Sequence, residues 1–347
     1  MTSSNLIRRV GAAGDDFAVG YALGSAVGSV VRERVFITPE FRELETRWKG
    51  SARLSQLEAA ARRHFPGLVR EIEGMAVGAE LDFQTLFLWN CRGDLRLPPN
   101  GAEAEGCTCV LLPAGGGDDD AAVIAHNEDG APEFLGHCFW VSVSPDAGPA
   151  FKSFMYPGML PGHTFGVNAA GLVQTINNVR VHDLQEGVPR QIITRAVLGC
   201  AELDEAIALL QRPDRASGFH HALGQAGDHR VLSVEAPASG CHVHEVSQPT
   251  GHANHLVYDT FAATAQEITD SSRLRQDRAE VMLTVGGHAP EAVLFDSEAP
   301  VYRDNDDGDD YAQTLATGVF KLYADRVEWA VHAGPSARNQ LKGSIYV

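Results

Sequence analysis

Cys107 follows Gly106 where an acidic, small-residue segment, AEAEGCTCVLL over residues 102–112, turns apolar. A thiol attacks as its thiolate, and free cysteine is mostly protonated near neutrality, so a catalytic cysteine needs a base beside it. An α-amino group, with a pKa of about 7.7–8, can fill that role. A backbone cut between Gly106 and Cys107 would put such an amine on the same residue as the thiol. The cut could come from the Cys107 sulfur adding to the Gly106 carbonyl, given a donor for the oxyanion. Glycine helps there, because it has no Cβ to block the approach. The same dipeptide is also the outline of a small buried cysteine that merely opens a strand.

Other groupings that could do chemistry are poorer in content. The six cysteines, Cys91, Cys107, Cys109, Cys138, Cys200 and Cys241, suggest no disulfide framework in a chain of this length. Cys107-Thr108-Cys109 lacks the CxxC spacing of a zinc knuckle, and His252 and His255 have no placed acidic third ligand, so no metal is expected. DNDDGDD at 304–310 would need an aspartate at 303 to read as an EF-hand loop, but that position is Arg303; an acidic loop is expected instead. No phosphate-binding GxxxxGK[ST] run occurs, and no cofactor is expected.

A formal net charge of −17 argues against nucleic acid as a partner. MTSSNLIRRVGAAGDDF has no apolar run after its arginines, and no stretch approaches the roughly 20 apolar residues of a membrane span. A cytoplasmic protein with no membrane partner is expected, and 44% hydrophobic content over 347 residues suffices for a sizeable core.

The elements that must position Cys107 follow from periodicity. Residues 17–35 and 55–81 recur with helical spacing, the second run broken at Pro66. GDLRLPPNGAEAEG, 93–106, is predicted to be an exposed loop. Strands are predicted at CTCVLLPA, AAVIAHNE, CFWVSVSP, AFKSFMYP and GLVQTINNV, separated by GGGDDD, DAG and NAAG turns, as an antiparallel meander. Helices follow at PRQIITRAVLGC and ELDEAIALLQR, where Leu203, Ala206, Ile207 and Leu210 share a face. HRVLSVEAP and CHVHEVS read as strands and SSRLRQDRAEVML as a helix. TLATGVFKLYADRVEWAVHAG reads as a hairpin turning near Ala324-Asp325. Helices against antiparallel sheets make this an α+β protein. Arg275 and Arg278, three apart on one helix, suit a surface ion-pair row.

The succession EGCTCV, HNEDG, GVNAAGLVQTINNV, GVPRQIITRAVL, ELDEAIALL, HANHL, SSRLRQDR, YRD and TLATGVF resembles the acyl-coenzyme A:6-aminopenicillanic acid acyltransferase family of N-terminal nucleophile hydrolases. The resemblance runs over nearly the whole chain, with GDDFAVGYALG similar to the family's leader. It implies a four-layer αββα sandwich and self-cleavage between Gly106 and Cys107. A helical segment 1–106 and a catalytic segment 107–347 would then form one compact domain. It further implies Cys107 as nucleophile, Asn127 and Asp129 as the N-x-D of the next strand, with the acid positioning the cysteine end, and Asn254 as oxyanion donor. Arg303 would lie near the site, and Arg275 is expected to bind substrate.

The implied reaction is hydrolysis or transfer at the amide bond of a small N-acyl compound through a thioester, with an acyl-CoA or an amine as acceptor in the transfer case. Hydrolysis is the simpler expectation, since an acidic chain offers no basic patch for CoA phosphates. The CTC run and Glu128, where relatives often carry an aromatic residue, depart from the family pattern and bear on the substrate. An uncleaved small-ligand-binding protein of the same fold, and a thiol amidase of the bile-salt or ceramide type, are the competing readings.

Overall fold

The computed structural model describes residues 7–95, 106–115, 121–298, 301–304, 312–335 and 340–347. Most of the expected 93–106 loop, the GGGDDD turn from Gly116 onward and nearly all of DNDDGDD lie outside these residues.

The chain begins with β1 (Arg8–Gly14) and five helices: α1 (Asp16–Val30), α2 (Pro39–Trp48), α3 (Ala52–His64), α4 (Pro66–Ala79) and α5 (Phe83–Asn90). Local chemistry sets their starts. Asp15, Thr38, Ser51 and Asp82 each accept a backbone N–H of the first turn, which satisfies donors a helix leaves open. Pro66 begins α4 where it needs no N–H, so the break predicted at that residue is a helix start.

Next come β2 (Gly106–Leu112), β3 (Ala122–Gly130), β4 (Phe139–Pro145), β5 (Phe151–Met155), β6 (Phe165–Asn168) and β7 (Leu172–Asn178). Helices α6 (Arg190–Val197) and α7 (Leu203–Leu210) lead to β8 (Phe219–Gln225), β9 (Val231–Ala236), β10 (His242–Glu245) and β11 (Thr250–His252). The chain ends with α8 (Asp270–Val285), α9 (Pro290–Leu294), β12 (Gln313–Leu322), β13 (Arg326–His332) and β14 (Gln340–Tyr346).

The strands form two sheets, of order β1-β4-β5-β6-β7-β8-β9-β10 and β11-β2-β3-β12-β13-β14. All neighbours are antiparallel except β1 and β4. The single meander expected from the sequence is thus corrected: β2 and β3 belong to one sheet and β4 onward to the other. Aromatic side chains fill the space between the sheets, with Phe165 against Trp140, Phe154 and Phe320. Val110, Val123, Ala125 and Val319 point the other way, into α8 and α9 through Ala279, Leu283, Val293 and Leu294. Helices α1 and α7 pack on the larger sheet, and α6 presents its Thr194 carbonyl to Gln174 of β7. The molecule is an α+β protein of four layers, αββα.

The N-terminal segment is built into this body. Strand β1 extends the larger sheet along β4, and Glu71 of α4 forms a buried pair with Arg195 of α6, Nη2 to Oε2 2.9 Å. Trp89 Nε1 donates to the Pro157 carbonyl, and Asn90 donates to that of Gly158. Helices α1 and α4 cross closely because Gly20 and Gly24 meet the carbonyls of Glu71 and Met75, where a Cβ would overlap the oxygen. A Gly24→Val substitution is therefore expected to cost on the order of 3 kcal/mol by overpacking, read as a lower urea midpoint.

Candidate active site

Cys107 sits one residue into β2, paired directly with Glu128 of β3. Directly paired residues on antiparallel strands share a face, so the thiol, Glu128 and His126 point between the sheets. Gly106, Thr108, Asn127 and Asp129 point to the opposite side. Cys107 is 4% exposed, and its sulfur lies 3.6 Å from Glu128 Oε2. That oxygen also meets His126 Nε2 at 3.0 Å, and Tyr156 Oη donates to Glu128 Oε1 at 2.8 Å. Burial, then the charges of Glu128 and Asp129, push the Cys107 thiol well above its ordinary range, against a lowering contribution from the Asp129 backbone N–H. The resting thiol is neutral.

The nitrogen of Cys107 is held from another direction. Its N–H donates to Asn254 Oδ1 at 2.9 Å. Arg275 Nη2 donates to the same oxygen at 2.6 Å, and Asn254 Nδ2 donates to the Asn178 carbonyl at 2.9 Å. Two donors converging on one atom and an acceptor facing the other fix the amide orientation. Asn254 therefore offers its oxygen to Cys107 N, while one Nδ2 hydrogen is engaged by Asn178.

Arg275 is 1% exposed. Its Nη1 donates to the Cys107 carbonyl and, at 2.9 Å, to Thr108 Oγ1. Burial pushes its guanidinium down to about 10. The expected surface row is corrected accordingly: Arg278 does pair at the surface, with Asp296 and Glu298, but Arg275 turns inward. It holds the backbone of Cys107 and is absent from the lining of the cavity beside it.

Asp129 Oδ1 accepts from Thr314 Oγ1 at 2.7 Å, and Oδ2 lies 3.8 Å from Arg303 Nη1. A Cβ on Gly106 would come within 2.9 Å of Arg303 Nη1 and 3.0 Å of Arg275 Nη2. Two guanidinium groups thus crowd the residue ahead of Cys107, and a larger side chain there would have to displace them. Asn127 is not brought to the thiol. Its amide donates to the carbonyls of Leu294 and Val301, and its oxygen accepts from Thr317, an anchor for α9.

The space beside the sulfur is about 20 Å³, room for a single water. Cys107, Glu128, His163, Asn178 and Arg190 line it, together with Arg92 from the N-terminal segment. Among the described residues, the only grouping of donor atoms close enough to suit a metal ion is Cys107, His126 and Glu128, within 4.8 Å of one another. Hydrogen bonds already join Glu128 to both partners, so the three read as a proton chain. The sequence singles out Glu128 only as a departure bearing on the substrate, and does not place His126 or Tyr156 beside the thiol. The alternation in AHNED places His126 and Glu128 on one face, which was the available signal.

His252 and His255 are structural as expected: His252 Nε2 meets Glu235 at 3.0 Å and stacks on His220, and His255 meets Ser272. Desolvation pushes the buried imidazoles of His126 and His221 down to about 3. In the unfolded chain they titrate near 6.5, so below that pH the unfolded state takes up protons the folded state refuses. Stability is expected to fall by about 1.4 kcal/mol per histidine per pH unit below 6.5. Thermal melts from pH 7 to pH 5 check this, and a flat midpoint contradicts it.

Comparison with known proteins adds to this geometry. A beta-alanyl-dopamine/carcinine hydrolase from Drosophila melanogaster is 26% identical, over 90% of this chain and 89% of its own. A crystal structure of a mutant conjugated bile acid hydrolase from Clostridium perfringens aligns with 70% of this chain and 92% of its own, at 10% identity and a TM-score of 0.41. Among the described residues no helix is long and apolar enough to cross a membrane. The sequence model of the acyl-coenzyme A:6-aminopenicillanic acid acyl-transferase family matches residues 116–335. The chain belongs to that family of enzymes, whose chemistry is hydrolysis or acyl transfer at amide bonds.

Proposed function

We propose that the chain cuts itself between Gly106 and Cys107, and that the new terminal cysteine hydrolyses the amide bond of a small N-acyl compound. The observation that carries this is the pair of contacts at one residue: Cys107 N–H on Asn254 Oδ1 and Cys107 Sγ at the cavity. After the cut, Asn254 Oδ1 accepts from an α-amine, leaving the nitrogen lone pair to take the thiol proton. The sulfur then adds to the substrate carbonyl, the amine leaves, and water resolves the thioester.

In the cut itself, Arg275 and Arg303 flank Gly106 and favour negative charge developing nearby. Asn254 acts first as acceptor for the nitrogen, and its second Nδ2 hydrogen remains for a substrate oxyanion. Asp129 and Thr314 hold the Arg303 side of this frame. Segments 1–106 and 107–347 stay together as one body, because β1, Glu71 and Trp89 anchor the first to the second. A water-sized cavity admits no acyl amide, so substrate entry requires its lining, which includes Arg92, Arg190 and Phe219, to move apart.

The name of the Drosophila relative supports a short polar acyl group on an amine as the substrate class. Intact-mass measurement on purified protein tests the reading, with a panel of N-acyl amines present. Two chains are expected, the second starting Cys-Thr-Cys-Val and transiently carrying an acyl adduct. A single uncut polypeptide that still releases amine overturns it.

A further inference from the structure

We propose that Glu128 is the proton acceptor for self-cleavage, a role distinct from that of the α-amine in the cut enzyme; this rests on the reading above. Before the cut no α-amine exists. The Cys107 nitrogen belongs to a peptide bond, has no basic lone pair, and donates its hydrogen to Asn254. Another group must take the thiol proton, and the surroundings leave few. Asp129 lies on the other face of β3, where its carboxylate faces Thr314 and Arg303. His126, neutral at pH 7, turns Nε2 to Glu128 at 3.0 Å. Glu128 Oε2 lies 3.6 Å from the sulfur as a hydrogen-bond acceptor for its proton, and it stands directly opposite on the paired strand.

The step balances as follows. The thiol proton passes to Glu128 Oε2 as sulfur bonds to the Gly106 carbonyl carbon, and a tetrahedral oxyanion forms in a five-membered ring. Collapse breaks the carbon–nitrogen bond, and the departing nitrogen takes the proton back from Glu128. A thioester between Gly106 and the Cys107 sulfur remains. Water hydrolyses it, leaving a Gly106 carboxylate, the free thiol and the α-amine.

His126 Nε2–H and Tyr156 Oη–H each donate to the Glu128 carboxylate, so it accepts and returns a proton without leaving its place. Cys138 also lies near enough to feel its charge. The Tyr156 ring packs against His163, with the Arg92 guanidinium over it. Among the described residues, Asp129 and Arg275 also act on the Cys107 thiol beside Glu128.

The test follows cutting of the full-length chain over time after pulse-labelled cell-free synthesis. Loss of a general base predicts cutting slowed on the order of 10²–10⁴-fold in Glu128→Gln and Glu128→Ala. Added formate or acetate is expected to restore at least a tenfold part of that loss in Glu128→Ala, which has room for it, and not in Glu128→Gln. Tyr156→Phe, a near-isosteric change, removes one donor to the carboxylate and is expected to raise the half-maximal pH of cutting, because the anion loses support.

Cutting of Glu128→Gln at the wild-type rate overturns the inference. So does a folded Glu128→Ala chain, by near-ultraviolet circular dichroism, that stays uncut and indifferent to formate. Should the Glu128 variants fail to fold, an unmoved pH profile in Tyr156→Phe overturns it. A wild-type chain that never cuts instead defeats the self-cleavage reading, so the two failures are told apart.

Discussion

A Cys107→Ala chain is expected to remain one polypeptide of 347 residues and to release no measurable amine from any N-acyl substrate. The sulfur is asked to act twice, on Gly106 in its own backbone and on the substrate carbonyl, and alanine can do neither. Loss of a covalent nucleophile costs on the order of 10⁴–10⁶ in rate. The variant should still fold. The thiol sits between Glu128 and the cavity, and its removal leaves the contacts of Cys107 N and O to Asn254 and Arg275 in place. Intact mass and an amine-release assay check both parts together, and undiminished amidase activity ends the reading.

An Arg275→Met chain is expected to cut itself about 10³-fold more slowly at a temperature where it is still folded. The guanidinium holds three oxygens of the frame: the Cys107 carbonyl, Thr108 Oγ1 and Asn254 Oδ1. Without it, Asn254 loses one of two donors and the first residues of β2 lose their tether, so sulfur and carbonyl drift from attack geometry. Stability responds as well. The charge's desolvation penalty goes, but the Cys107 carbonyl, Thr108 Oγ1 and Asn254 Oδ1 stay buried and lose this donor, so the melting temperature is expected to fall. A rate within a few-fold of wild type in a folded variant would falsify this positioning role.

Much of the architecture was legible because hydrophobic period and turn chemistry are local. Asp15, Ser51 and Pro66 mark helix starts that a reader of the sequence can find, and Ala324-Asp325 lies in the turn between β12 and β13. What was missed depends on partners far away in sequence. Strand β1 is recognisable only beside β4, and the short β6 only between β5 and β7. Membership of β2 and β3 in a separate sheet depends on β12, nearly two hundred residues on.

The same divide runs through the site. Gly106 and Cys107 raise the question by their types, and the resemblance singles them out together with Asn254 and Arg303. Glu128 escaped as a partner of the thiol because its importance lies in register: it faces the sulfur only because Cys107 and Glu128 occupy the same rung, which no composition or spacing encodes. For Arg275 the sequence allows both a surface ion-pair row and substrate binding, because helix periodicity gives a residue's face without saying what that face meets. Here it meets the start of β2.

The tie between Glu71 and Arg195, together with β1 lying along β4, has a consequence for how the enzyme ages. An intact chain that unfolds can refold alone, in a first-order process. If the chain is divided at Gly106 as proposed, recovery would require two strangers to meet, so the midpoint of denaturation would rise with protein concentration and dilute samples heated once would not come back. The catalyst would then be a kinetically trapped pair, made by a precursor that folds reversibly and forfeits that ability on becoming active.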